Sequence, residues 1–139
     1  MAEKNTVRST AEVLSYVSHK IYLSGFSHGL KPAQWVALRY FSMINPTAST
    51  VTDFARQIGC TKGTASRTVN HLIRRGLLQK RDNPADKRSH FLAMTEHGTA
   101  YMQRDPIQLL EADLHKLSEE DQVMLQNALV RLLADAVGS

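Results

Sequence analysis

Cysteine is almost absent from this 139-residue chain. Cys60 stands alone, so no internal disulfide can form, which fits a reducing compartment. Aromatic residues make up only 6%, with a single tryptophan, Trp35. No apolar run approaches membrane-spanning length, and the polar opening MAEKNTVRST has no apolar stretch behind it. Neither a membrane span nor a secretory leader is expected, and the expected location is the cytoplasm. Catalytic signatures are missing as well: there is no nucleophile elbow, no phosphate-binding glycine loop and no paired metal motif. The six histidines (His19, His28, His71, His90, His97, His115) show no ligand spacing with one another or with Cys60. An enzyme, a metal site and a resident cofactor are therefore not expected.

Acidic residues are missing where they matter most. None occurs from Thr61 to Arg75. Between Thr61 and His90 eight basic residues (Lys62, Arg67, Arg74, Arg75, Lys80, Arg81, Lys87, Arg88) meet two acidic ones (Asp82, Asp86), a local net of +6. The whole chain carries +4, so everything else sums to −2. A solvated helix face usually mixes signs. A compact segment of one sign is what a protein needs to lie against a polyanion.

The length and an ordinary 42% of hydrophobic residues allow one domain with its own core, or one domain with an oligomerisation extension. Val7, Ala11, Leu14, Val17 and Ile21 recur at spacings of three and four, predicting a helix over 6–24 with Val13, Tyr16 and Tyr22 on a second buried face. Pro32 suits the first turn of a second helix over 32–43 that buries Trp35, Leu38 and Phe41. Thr52 is the expected cap of a short helix over 53–58, with Phe54, Ala55 and Ile58 inward and Gly59 at its end. Thr61 caps the next helix, and two helices joined by so tight a turn have the helix-turn-helix pattern. Leu77 to Arg81 and Ser89 to Met94 read as the strands of a hairpin around a polar loop broken by Asn83-Pro84. Thr95 starts a fifth helix that Pro106 kinks or splits. Ser118, followed by Glu119, Glu120 and Asp121, starts the last helix. That helix is apolar around well over half its circumference, which calls for a partner: the two chain ends are expected to pack together and against a second subunit.

The chemistry concentrates on the fourth helix. Ala65, Val69, Leu72 and Ile73 gather on one side, with Gly63, Arg67, Asn70, His71 and Arg74 opposite. The small, polar first turn, Thr61 to Thr64 with Lys62 and Gly63 between, brings backbone close to a base edge or phosphate. Arg67 suits guanine O6 and N7, Asn70 suits adenine or a phosphate, and Thr64 and Ser66 serve either. The helix N-terminus adds its dipole beside phosphate. At the hairpin tip Lys87 and Arg88 are placed to reach a minor groove, with Asp86 steadying the Arg88 guanidinium, while Lys80, Arg81 and Arg74 suit phosphate contacts.

The helix-turn-helix, then Gly76-Leu77-Leu78, then Asp86-Lys87-Arg88 followed by Met94-Thr95-Glu96 and Gly98, resembles the winged helix-turn-helix regulators of the MarR family. The Lys31-Pro32-Ala33-Gln34-Trp35 opening of the second helix and the last helix led by Ser118 extend the resemblance over nearly the whole chain. Lys31 stands where the family often has a capping Thr, and Met94 where Leu is usual. The resemblance implies a mainly α fold with a small β-hairpin wing: a single domain over 1–139, with a DNA-binding lobe at about 30–95 and dimerisation helices at about 6–24 and 96–137. It implies a homodimer on a pseudo-palindromic operator in double-stranded DNA, usually as a repressor, with the helix of Thr61 to Arg75 in the major groove and Arg88 in the minor groove. Release by a small aromatic or phenolic effector is a further implication.

Tyr16, His19, Tyr22, Trp35 and Arg39 lie where such an effector pocket tends to form, and equally suit core or interface roles. Cys60 precedes the recognition helix, where oxidation would disturb binding; a buried turn cysteine explains it as well. A winged-helix module that binds an acidic protein partner remains the alternative to a DNA-binding regulator.

Overall fold

The computed structural model describes residues 2–46 and 49–137; the ends of the expected single domain, residues 1 and 138–139, lie outside the described residues. The elements run α1 (Ala2–Ser24), α2 (Pro32–Met43), α3 (Val51–Ile58), α4 (Lys62–Arg74), β1 (Leu78–Asp82), β2 (His90–Met94), α5 (Glu96–Tyr101), a single 3-10 turn (Met102–Arg104), α6 (Ile107–Leu114) and α7 (Glu119–Val137). The architecture is mainly helical with one antiparallel hairpin.

Local chemistry explains most boundaries. Pro32 opens α2, and the Gln34 side chain accepts the Lys31 N–H at 2.9 Å, the reach-back arm of a capping box. Thr61 Oγ1 accepts the Thr64 N–H at 3.1 Å and Thr95 Oγ1 accepts the Gly98 N–H at 2.9 Å, so both predicted caps are formed. Ser118 Oγ accepts the Asp121 N–H in the same way. At the end of α4, Gly76 takes a φ of 71°, its N–H reaching Ile73 O and the Leu77 N–H reaching Leu72 O, both at 2.9 Å. This is a Schellman turn, and its accompanying apolar contact is supplied by Leu72 and Leu77, both fully buried. Leu77 thus belongs to the turn, and the hairpin starts one residue later than its sequence suggested.

Three other expectations need correction. The cap of α3 is Thr50, not Thr52: Thr50 Oγ1 accepts the Asp53 N–H at 3.1 Å while the Asp53 carboxylate accepts from Thr50, a reciprocal box that starts the helix earlier, at Val51. Ile58 faces solvent rather than the core. Helix α1 begins at Ala2, since Ala-Glu-Lys are good helix formers and nothing stops the helix there.

The core lies between α2, α3, α4 and the base of the hairpin. Trp35, Leu38, Val69, Leu72, Leu77, Leu78 and Leu92 are essentially inaccessible, and each such side chain contributes about 1.5–3 kcal/mol through burial. Phe41 and Phe54 pack ring on ring, 5.3 Å apart. Pro106 splits the C-terminal helix at the predicted place. The apolar faces of α1 and α7 are not buried within the chain, contrary to the expectation that the ends cover each other: Val7 is 72% exposed and Leu133 68%. The second face of α1 is open too, including Val13, Tyr16 and Tyr22.

Candidate nucleic-acid interface

Helix α4 turns its small apolar side chains, Ala65 and Val69, into the core, which leaves Lys62, Gly63, Thr64, Arg67, Asn70 and Arg74 exposed on the other side. Thr61 is engaged as the cap and also donates to Thr64 Oγ1, 2.9 Å away. Thr64 in turn accepts from the Arg67 guanidinium at 3.4 Å, so the first turn of the helix orients the arginine one turn further on.

The hairpin stands beside this face. Its register pairs Leu78 with Met94 and Asp82 with His90. Strand alternation separates neighbours onto opposite faces. Lys80 lines a cleft of about 350 Å³ between α4 and the hairpin, together with Lys62, Ser66, Asn70, Asp86 and Arg88. Arg81 instead lines a depression on the other side, with Phe41, Met94 and Met102. The sequence grouped Lys80 and Arg81 for one task; the structure separates them.

The hairpin tip is ordered by its own side chains. Asn83 Oδ1 accepts the Ala85 N–H and Asp86 Oδ1 accepts the Arg88 N–H, both at 3.0 Å. Asp86 therefore fixes the backbone at Arg88 and does not hold its guanidinium. Lys87 and Arg88 both point to solvent. Behind the cleft, Ser49 anchors the wing to the start of α3, its backbone carbonyl accepting the Leu92 N–H at 2.9 Å. Val51, Thr52, Ser89 and His90 also border the cleft, a contribution that basic-residue counting missed.

His71 departs from the exposed face on which its spacing put it. Its Nε2 is buried without a hydrogen-bond partner. Burial, helped by the positive charges of Arg75, Arg74 and Lys31, pulls its pKa below the usual imidazole value.

A second, mostly apolar groove of about 370 Å³ lies between α1, α2 and α6, where Ile21, Tyr22, Val36, Arg39, Ile107 and Leu110 meet. Of the five residues expected there, Tyr22 and Arg39 line it. Arg39 also pairs with the buried Asp105 at 3.4 Å. Tyr16, 76% exposed, and His19 stand on the open face of α1. Trp35 belongs to the core, its Nε1 donating to Ser27 O at 3.2 Å. Cys60 is half-buried in the α3–α4 turn, packed against the core. Among the described residues no His, Cys, Asp or Glu group of three or more is placed to hold a metal ion, and no helix is long and apolar enough to cross a membrane.

Residues 28–89, from the connector ahead of α2 to the end of the hairpin loop, match the family model described as the MarR family. This segment resembles a MarR-family domain. An uncharacterised protein of Mycobacterium tuberculosis is 35% identical over 75 residues, covering 54% of this chain. The chain spans about half the length of the curated relatives it matches. Among solved structures, AbsC, a MarR-family transcriptional regulator from Streptomyces coelicolor, superposes with a TM-score of 0.79 over 99% of this chain and 96% of its own, at 20% identity. Sco3205, a MarR-family transcriptional regulator from the same organism solved in complex with DNA, gives 0.76 over 98% and 88%, at 22% identity. At such identities the likeness is one of fold. It extends well beyond the matched MarR segment, to the helices on either side of it.

Proposed function

We propose that the chain is a sequence-specific DNA-binding transcriptional regulator that acts as a homodimer on a pseudo-palindromic operator, as a repressor. The observation that carries this reading is the cleft between α4 and the wing, where Lys62, Lys80 and Arg88 converge beside a helix start made of small polar residues. In this reading α4 enters the major groove, with Thr61, Lys62, Gly63, Thr64, Ser66, Arg67 and Asn70 at base edges and adjoining phosphates. Arg74 and Lys80 serve phosphates, and Lys87 and Arg88 reach the minor groove from a tip fixed by Asp86. That Sco3205, of the same fold, is solved in complex with DNA supports DNA as the partner.

Two copies joined through α1 and the C-terminal helices would cover the open apolar faces and set the distance between the two recognition helices. The groove bordered by Tyr22 and Arg39 suits a small aromatic or phenolic effector that carries negative charge, and its binding would release the DNA.

Salt titration of binding to a selected duplex tests the reading. Three or four phosphate contacts per subunit give log K against log salt a slope of about −5 to −7. Arg88→Ala weakens binding and leaves the dimer intact. A slope near zero, or equal affinity for selected and random duplexes, points instead to a protein-binding module.

A further inference from the structure

Three successive carbonyls in the connector between α1 and α2 are each held by a side chain from a different part of the fold. Ser27 O accepts from Trp35 Nε1 of α2, His28 O accepts from the Tyr101 hydroxyl at the end of α5, and Gly29 O accepts from Arg75 Nη1 at 2.9 Å. Arg75 is the residue that closes α4. Its other terminal nitrogen, Nη2, donates to the Tyr101 hydroxyl at 3.0 Å, so a continuous path of hydrogen bonds runs from guanidinium to phenol to backbone.

The connector is shaped for this grip. His28 and Gly29 both take left-handed conformations, φ 53° and 77°, a costly choice for His28 that persists only where surroundings impose it. A Cβ at Gly29 would come within 3.2 Å of Arg75 Nη1. The Tyr101 ring is equally confined: Trp35 stacks on it at 5.8 Å, and the Arg75 and Arg104 guanidinium groups lie 5.7 and 5.2 Å from its centre.

We propose that Arg75 and Tyr101 are positioning residues for DNA recognition: their clasp on the connector fixes the angle between the recognition helix and α1, so the readout of sequence depends on two side chains that do not touch DNA. The proposal rests on the DNA-binding reading above. Arg75 belongs to the basic run that first suggested nucleic acid, yet two of its donors are committed inside the protein. At about 100° per residue it lies roughly 140° around α4 from Asn70. Because α1 carries the exposed apolar face at one end of the chain, the clasp is where the pose of that face and the pose of α4 are made interdependent.

The test compares wild type with Tyr101→Phe, Arg75→Gln and Arg75→Lys, each measured on a duplex selected by the wild type from a random pool and on the random pool itself, over a series of salt concentrations. Tyr101→Phe keeps the ring and its stack on Trp35. The expected result is a fall of tenfold or more in the ratio of selected to random affinity in Tyr101→Phe and Arg75→Gln, with the salt slope on random DNA unchanged. Arg75→Lys keeps the charge but loses the planar fork, and is expected to lose preference as well. Partial unfolding lowers both affinities by one factor and cannot produce this change of ratio. An unchanged ratio in both Tyr101→Phe and Arg75→Gln overturns the inference. So does a uniform loss in Arg75→Gln with the slope reduced by about 1.8, one contact from each subunit, which would make Arg75 a phosphate contact. A wild type with no preference at all overturns the DNA-binding reading itself, a failure visible before any variant is made.

Discussion

Ser49 Oγ donates to the backbone carbonyl of Leu92 at 2.6 Å, tying the approach to α3 directly to the returning strand of the wing. The hydroxyl also lies 2.8 Å from Pro46 O, and the residue is inaccessible to solvent. Ser49→Ala removes the donor to the buried Leu92 carbonyl, so we expect a loss of about 1–3 kcal/mol. Urea unfolding followed by circular dichroism reads this directly; an unchanged midpoint would show that the contact does not hold the wing.

Two glycines should respond in opposite ways to the same substitution. A Cβ at Gly98 would stand 2.1 Å from Leu77 O, whereas one at Gly63 meets nothing within 4 Å. Gly98→Ala therefore forces α5 off the base of the hairpin and costs about 1–3 kcal/mol, at the upper end of that range because the obstacle is backbone. Gly63→Ala stabilises the free fold by up to about 1 kcal/mol, through helix propensity. On the proposed DNA surface the added methyl occupies space that a phosphate or base edge needs, so the same variant should bind the operator more weakly. Thermal melts and binding isotherms on the two proteins separate these effects.

Lys80 and Arg81 carry the same charge but lie on opposite sides of the hairpin. Lys80→Ala removes one phosphate contact from each subunit of the dimer, so it should weaken DNA binding alike for all sequences and reduce the salt slope by about 1.8. Arg81→Ala should leave the slope closer to the wild-type value. Equal slopes for the two variants would mean that the cleft face is not the one that meets phosphate.

Protonation of His71 opposes folding. The burial that lowers its folded pKa, with Arg75, Arg74 and Lys31 adding to it, makes the neutral ring the folded form. The unfolded chain takes up its proton near pH 6.5. The stabilisation is present above that pH and is lost as pH falls from there toward the lower folded value. Melting temperatures at pH 5.0 and 7.5 should differ more in wild type than in His71→Gln. Equal differences would remove His71 as the source.

Legibility in the sequence followed the range of the interactions. Thr61, Thr95, Pro32, Gly76 and Ser118 end or begin helices through partners no more than a few residues away, and each could be read directly. The cap of α3 is encoded just as locally, in the Thr50–Asp53 spacing of a reciprocal box, and reading Thr52 as the cap misses that pair. The period of two in β1 implies that Lys80 and Arg81 diverge, yet says nothing of which side faces α4. Trp35 looked suited to a pocket because aromatic rings serve pockets and cores alike, and only packing against Tyr101 decides between them. The clasp was out of reach altogether: Arg75 meets Gly29 across 46 residues, and Tyr101 meets His28 across 73.

The paired side-chain turns at Asn83 and Asp86 have a consequence for the thermodynamics of docking. A seven-residue loop at the tip of a two-stranded hairpin ordinarily surrenders backbone freedom when it enters a groove, at about 1–2 kcal/mol per residue immobilised. Here the backbone on both sides of Pro84 and up to Arg88 is already held in place. In the proposed docking, the entropy loss then falls on folding instead of on association, so the Arg88 backbone meets the groove pre-organised and more of the gross contact energy is left for affinity.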